Sequence, residues 1–327
     1  MKQYIRTFGP LGLIGVIIFW GATPVMLREL TTQLDAWTTN GVRYPFVAVL
    51  YWPVIYFGYR HGIIDKELVK LCLLPALWSF LGQVMWGLAP YYLEAPTIGF
   101  FIRLTLVFSM SGAMLLFADE RRLLQQPFFF VGLGFTVAGF LTFAAYGGVF
   151  AHMAGVATIE GSAAKINMEG VLIMLACSFF FGMYAISVRY FLRNKSPIFS
   201  FAIVSQFVSI GTFSLMIRYG DPSRLWTVDS KGWLLLFASS IVGIGLGHVF
   251  LYVAVQRFGA TIATGVQTAQ PFVTVIVAMF ARGETLNLGQ WGAGFGMILG
   301  AAALLFSQRI AERDAAAALK SLKPESS

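Results

Sequence analysis

The sequence predicts an all-α integral membrane protein of ten transmembrane helices, arranged as two inverted repeats of five. Three observations carry that prediction. Of the 327 residues, 57% are hydrophobic and 12% charged, where a soluble domain carries about 25% charged residues. Ten mainly apolar stretches follow one another, each near the roughly 20 residues a helix needs to cross the hydrocarbon core with its own backbone bonds satisfied. Residues of the first half then recur, in order, in the second. This composition excludes a disordered chain and a soluble enzyme. The net charge of +8 does not point to nucleic acid, because the bases sit in short clusters between apolar stretches instead of on one stripe.

A short N-terminal segment, 1–9, precedes span one at 10–28. The apolar run from Pro10 to Leu27 is too long for a cleavable leader, and no small-residue cleavage site follows it. Spans two to five are expected at 38–59, 69–92, 96–117 and 127–147. A connection rich in Gly, Ala and Ser, 148–167, divides the chain. Spans six to ten are expected at 168–190, 197–217, 232–254, 260–281 and 287–308, before an Ala-rich charged tail, 309–327, that reads as a frayed helix. Pro10, Pro96, Pro127 and Pro197 fall at span starts, where a missing N–H costs nothing. Pro24, Pro45, Pro53, Pro75, Pro90 and Pro271 fall inside spans and predict kinks. Cys72 and Cys177 lie in apolar stretches and offer no disulfide framework or metal spacing.

Orientation follows from the positive-inside rule. With both termini cytoplasmic, the inner segments hold 15 of the 23 Lys and Arg residues and the outer segments six. The chain is therefore expected in the cytoplasmic (inner) membrane, multi-pass, with both ends inside.

The repeat is an ordered series. Phe19-Trp20-Gly21 with Arg28 matches Phe180-Phe181-Gly182 with Arg189 at offset 161. Leu81-Gly82-x-Val84 matches Leu246-Gly247-x-Val249 at offset 165. Thr97-Ile98 matches Thr261-Ile262, and an acid, Glu120 or Glu284, follows each Thr by 23 residues. Two copies of an odd number of spans enter the membrane in opposite directions. The duplication therefore implies inverted repeats of the kind many secondary transporters use, with a site near the midplane.

The segment from Gly245 to Phe306, above all its Pro271 to Glu284 element and the Gly-rich last span, resembles the second EamA repeat of the drug/metabolite transporter superfamily. Trp20-Gly21 resembles the start of the first repeat, and the stretch Leu115–Gln126 its Glu-containing loop. The resemblance covers about residues 10–308. It implies a transporter of ten helices, a central cavity lined by spans one, three, four, six, eight and nine, and export of amino acids or related metabolites. Where the family has Pro in span four, this chain has Val107, and it places Arg103 four residues earlier.

A charge at bilayer depth is expensive, about 3 kcal/mol on insertion scales. Arg103 is expected about 10 Å into span four, level with Gln83 and Trp86 of span three, by the 1.5 Å rise of a helix. The repeat counterparts Gln267, His248 and Leu251 are expected at a second level across the midplane. Arg103 either forks onto an acid group of the substrate, or snorkels to headgroups or pins helix carbonyls. Trp20 and Trp86 would supply aromatic walls. His248 is either a proton switch or a packing donor. Gln267, Gln270, Thr274, Tyr184 and Tyr252 either line the cavity or bond between helices. Arg43 reads as an interface anchor, as do Trp37, Trp226 and Trp233. Glu120 and Glu284 read as solvated caps or ion-pair partners at span ends. Gly292, Gly296 and Gly300 make a small-residue stripe that packs within the chain or forms a homodimer through span ten.

No phosphate-cradling loop, nucleophile elbow or metal spacing is present in the sequence. The chain therefore reads as no enzyme, and no cofactor or metal is expected. The expected partners are a small-molecule substrate and the bilayer. The expected function is export of small organic metabolites, amino acids or organic acids, by alternating access. Rival readings are export of amphipathic or cationic compounds and a non-transporting assembly role.

Overall fold

The computed structural model describes residues 2–148, 166–192, 195–248, 250 and 267–321. Every regular element among these residues is helical. The first half contains α1 (Lys2–Leu30), α2 (Ala36–Leu50), α3 (Trp52–Arg60), α4 (Lys66–Tyr92), α5 (Ala95–Phe101), α6 (Leu104–Leu116) and α7 (Pro127–Tyr146). The second contains α8 (Met168–Leu192), α9 (Pro197–Tyr219), α10 (Ser230–Ser239), α11 (Gln270–Arg282) and α12 (Leu288–Ser321). Six helical stretches among the described residues are long and apolar enough to cross a membrane, one of them α5 and α6 taken together.

Local chemistry sets many of the ends. Asp35, Asp65 and Asp229 accept from the amides of Thr38, Leu68 and Gly232, capping α2, α4 and α10. Pro96, Pro127 and Pro197 stand in the first turns of α5, α7 and α9, as expected. Pro10 does not open a helix, because α1 already begins at Lys2. Span two is broken: α2 ends at Leu50 and Pro53 restarts the chain as α3. Pro271 stands in the first turn of α11. The charged tail stays helical to Ser321, well past the expected end of span ten.

The outward faces are apolar, as lipid requires. On α7, Phe128, Phe130, Phe135 and Leu141 are exposed, while Phe129, Gly132, Thr136, Gly139 and Phe143 are buried. The inward set recurs every three or four residues and carries the small and polar side chains.

The halves interdigitate. The principal helix contacts pair α7 with α12, α4 with α8, α2 with α9 and α1 with α11, each across the middle of the chain. The largest buried cluster mixes Phe100, Phe101 and Phe143 with Met174, Cys177, Val275 and Met297. Most of the connection 148–167, and the chain from 251 to 266, lie outside the described residues.

Candidate functional site

Span four is interrupted where its charge stands. The Arg103 amide bonds the Phe100 carbonyl, and the amides of Thr105 and Leu106 bond those of Ile102 and Arg103, so the helix tightens into three-residue steps between α5 and α6. Opposite it, Gln267–Ala269 form a single tight turn before α11 begins at Gln270. The two joints meet. Arg103 Nη1 donates to the Gln267 carbonyl at 2.9 Å, and Nη2 to Gln270 Oε1 at 2.8 Å. Gln267 is the residue the repeat offset makes equivalent to Arg103. The Arg103 side chain thus bridges span four to the start of α11. Snorkelling is excluded, since both ends of the fork are spent on neighbouring protein groups.

Trp20 and His248 form a second group. Trp20 Nε1 donates to the Gly243 carbonyl at 2.8 Å, and its ring meets the His248 ring edge-on at 5.4 Å. His248 Nδ1 bonds the Ile244 carbonyl at 2.7 Å, and its ring stacks on Phe201 at 4.3 Å. Gln83 and Trp86 are not bonded to Arg103. The Gln83 carbonyl accepts from Asn40 Nδ2 at 3.0 Å, and Trp86 packs against the main core and against the smaller cluster of Leu27, Leu30, Leu34 and Leu236. Tyr184 packs against the buried cluster that contains Tyr44, Tyr51 and Phe201. Tyr252 and Leu251 lie outside the described residues. Thr274 is buried and returns its hydroxyl to the Gln270 carbonyl at 3.3 Å, a use internal to α11.

Sequence reasoning missed a polar layer beside Trp20. Residues Ser240–Leu246, expected as plain helix, form a wide π turn. Such turns free carbonyls and recur at functional sites. Here the carbonyls of Ser239, Gly243 and Gly245 accept from Arg43, Trp20 and Tyr51. Arg43 is not an interface anchor; it is 1% exposed. The spacing Asn40, Arg43, Tyr44 inside an apolar span was the available signal, since polar groups three or four apart share a helix face.

At one end of the molecule, the ends of α1 and α11 and the starts of α5 and α10 are joined by charge. These are ends that the ten-span reading places on the same side. Glu284 Oε1 accepts from Arg28 Nε at 3.3 Å and from Arg282 Nε at 2.9 Å, and Oε2 accepts from the Ala95 amide at 2.9 Å. Glu29 accepts from Lys231 at 2.6 Å and also from Arg282. Glu284 is thus an ion-pair partner, and not a solvated cap, its side chain being 8% exposed.

The Lys231 hydrogen bond, with Arg282 behind it, holds Glu29 below its ordinary pKa against the upward pull of burial. Burial raises Asp35, but hydrogen bonds from Thr38 and Asp221 outweigh it and lower the carboxyl. Burial, then the adjacent Glu284, push Glu94 the other way. A carboxyl lowered in the folded state stabilises the fold above its unfolded pKa, about 4.3 for Glu. That contribution is lost as pH falls through the folded value. The melting temperature of Glu29→Gln should therefore change less between pH 6 and pH 3, about a unit and more either side of that value, than that of the wild type. Parallel profiles would refute the assignment.

Residues 168–307 match the model of the EamA-like transporter family. A crystal structure is similar in fold over 93% of this chain and 99% of its own, with a TM-score of 0.58 and 17% sequence identity. No curated protein matches the chain.

Proposed function

We propose that this chain, whose residues 168–307 match the EamA-like transporter family, is a multi-pass membrane protein of the drug/metabolite transporter superfamily that exports small organic metabolites bearing an acid group. In this reading ten helices form two inverted repeats in the cytoplasmic membrane, with both termini inside, and work by alternating access. It is a transporter and not an enzyme.

The observation that carries the substrate class is the Arg103 fork at the meeting of two broken spans. Broken helices of this kind bind substrate in transporters because their unwound backbone lines a cavity. The fork is held by two neutral acceptors, Gln267 and Gln270. A carboxylate is a stronger partner, since a charge-assisted bond is roughly twice as strong as a neutral one. Its arrival would displace the Gln270 side chain and loosen α5–α6 from α11, linking binding to movement. Trp20, beside His248, supplies an aromatic wall. A homodimer through span ten would use Gly292 and Gly296, which face open space.

The test is thermal melting of the purified protein against amino acids, organic acids and amines, with Arg103→Ala alongside. A ligand at 100 times its Kd adds about 2.7 kcal/mol to the folded state. An acid should raise the wild-type melting temperature by a few degrees, as that energy implies for a large chain, and leave Arg103→Ala unmoved. Amines that stabilise both proteins equally would overturn the acid reading in favour of cationic substrates.

A further inference from the structure

The chain turns back on itself between α3 and α4. Gly62 adopts φ +66°, and the amides of Ile63 and Ile64 both return to the Gly58 carbonyl, at 2.8 and 3.1 Å. A left-handed residue closing a helix in this way favours glycine. The bare face of Gly58 seats α3: a Cβ there would meet the side chains of Ile64 and Phe199, each at 2.8 Å. Tyr59, the next residue, is exposed. Where α3 meets the start of α4 a groove of about 570 Å³ opens, lined by Tyr59, Ile64, Asp65, Lys66, Val69 and Lys70.

The groove joins charge to apolar surface. Lys66 and Lys70 stand one turn apart on α4 and are exposed, and among the described residues neither pairs with an acid. The two nearby carboxylates are already engaged. Asp65 Oδ1 accepts from the Leu68 amide at 2.7 Å to cap α4, and Glu67 pairs with Lys195 at 3.1 Å. Farther along the same face of α4 come Leu73 and Leu77, at the helical spacings i+7 and i+11 from Lys66, and both are exposed. Leu77 lies about 10 Å beyond Lys70 along the helix axis. On α3, Trp52, Tyr56 and Tyr59 form a second exposed stripe, of the residue types that settle at headgroup level. Two unpaired cations at the end of a span, with apolar side chains running from them along it, match the layout of an anionic phospholipid.

We propose that this groove docks an anionic phospholipid, its phosphodiester held by Lys66 and Lys70 and its acyl chains laid along Leu73, Leu77 and the Tyr59 ring. The ten-span reading puts this turn on the cytoplasmic side, where the leaflet surface is negatively charged. Charge complementarity selects this occupant over a zwitterionic lipid, and the exposed leucines select it over a soluble phosphate. The docking requires a protein in a membrane but no particular solute, so it stands or falls independently of the Arg103 reading.

Native mass spectrometry of the full-length protein in detergent tests it, with phosphatidylglycerol and phosphatidylcholine of identical chains. The wild type should retain phosphatidylglycerol in preference. Lys66→Gln combined with Lys70→Gln should weaken phosphatidylglycerol binding about 30-fold, the worth of two lysines at an anionic surface, and leave phosphatidylcholine binding unchanged. Both positions are exposed, so the lipid-free double variant should melt within about 2 °C of the wild type. Arg121→Gln combined with Arg122→Gln, an equal loss of charge at another exposed pair, should keep the preference. If the lysine variant keeps it, or the arginine variant loses it equally, the groove is not the site. If soluble glycerol phosphate displaces the lipid, the groove takes a free phosphate ester and the lipid docking is wrong.

Discussion

Gly300→Ala should destabilise the protein by about 2–3 kcal/mol, the range of overpacking in a filled interior, while Gly296→Ala, four residues earlier on the same helix, should not. The two glycines look alike in sequence. A Cβ on Gly300 would stand 2.5 Å from the Thr136 amide nitrogen and 2.7 Å from the Gly132 carbonyl oxygen of α7. Those are backbone atoms and cannot rotate aside, so α7 and α12 would have to separate. Gly132 faces the same contact from the other side, 2.7 Å from the Leu304 nitrogen. A Cβ on Gly296 would meet nothing within 4 Å. There the gain in helix propensity, up to about 1 kcal/mol, acts alone. Melting temperatures in detergent decide the matter, because the two variants should move in opposite directions. Equal shifts would mean that α7 and α12 do not touch here.

Glu284→Gln should cost about 2–3 kcal/mol, less than the 3–5 kcal/mol of a fully buried broken pair, because Arg28 and Arg282 keep about a fifth of their side-chain surface (24% and 20% exposed). The substitution preserves shape but removes the charge that two guanidinium groups share. It also puts an amide donor where Arg28, Arg282 and the Ala95 amide all donate. Glu67→Gln is the control. Its pair with Lys195 is 69% exposed on the acid side, and such surface pairs contribute about 0.2–1 kcal/mol at most. A melting temperature for Glu284→Gln within error of Glu67→Gln would remove the charged cluster as a determinant of the fold.

Much of the architecture was legible because lipid imposes a simple demand. Spans three, five, six and seven end within about three residues of α4, α7, α8 and α9, an ordinary uncertainty for helix ends. Arg103, Gln267 and Gln270 were legible as candidates because a polar group in an apolar span is conspicuous, and the structure brings these three together. Pro53 marked the break in span two, but the breaks in spans four and eight were not legible. A helix breaks cheaply only where something satisfies the freed carbonyls, and the donors come from far along the chain: Tyr51 reaches Gly245, and Arg103 reaches Gln267. Arg43 was misread for the same reason. Its depth in the span suggested a headgroup anchor, whereas its partner carbonyl at Ser239 is 196 residues away.

By itself the sequence determined that this chain is helical and lies in lipid, since composition and span length are properties of the chain alone. Tertiary structure alone decided which groups face each other. It selected Gly300 over Gly296, joined Arg103 to Gln267 and Gln270, and buried Arg43 against a π turn. In a membrane both faces of a helix are apolar, so hydrophobic periodicity carries little information about facing. Close backbone approach and the satisfaction of scattered polar groups settle it instead, and both depend on residues far apart in the chain.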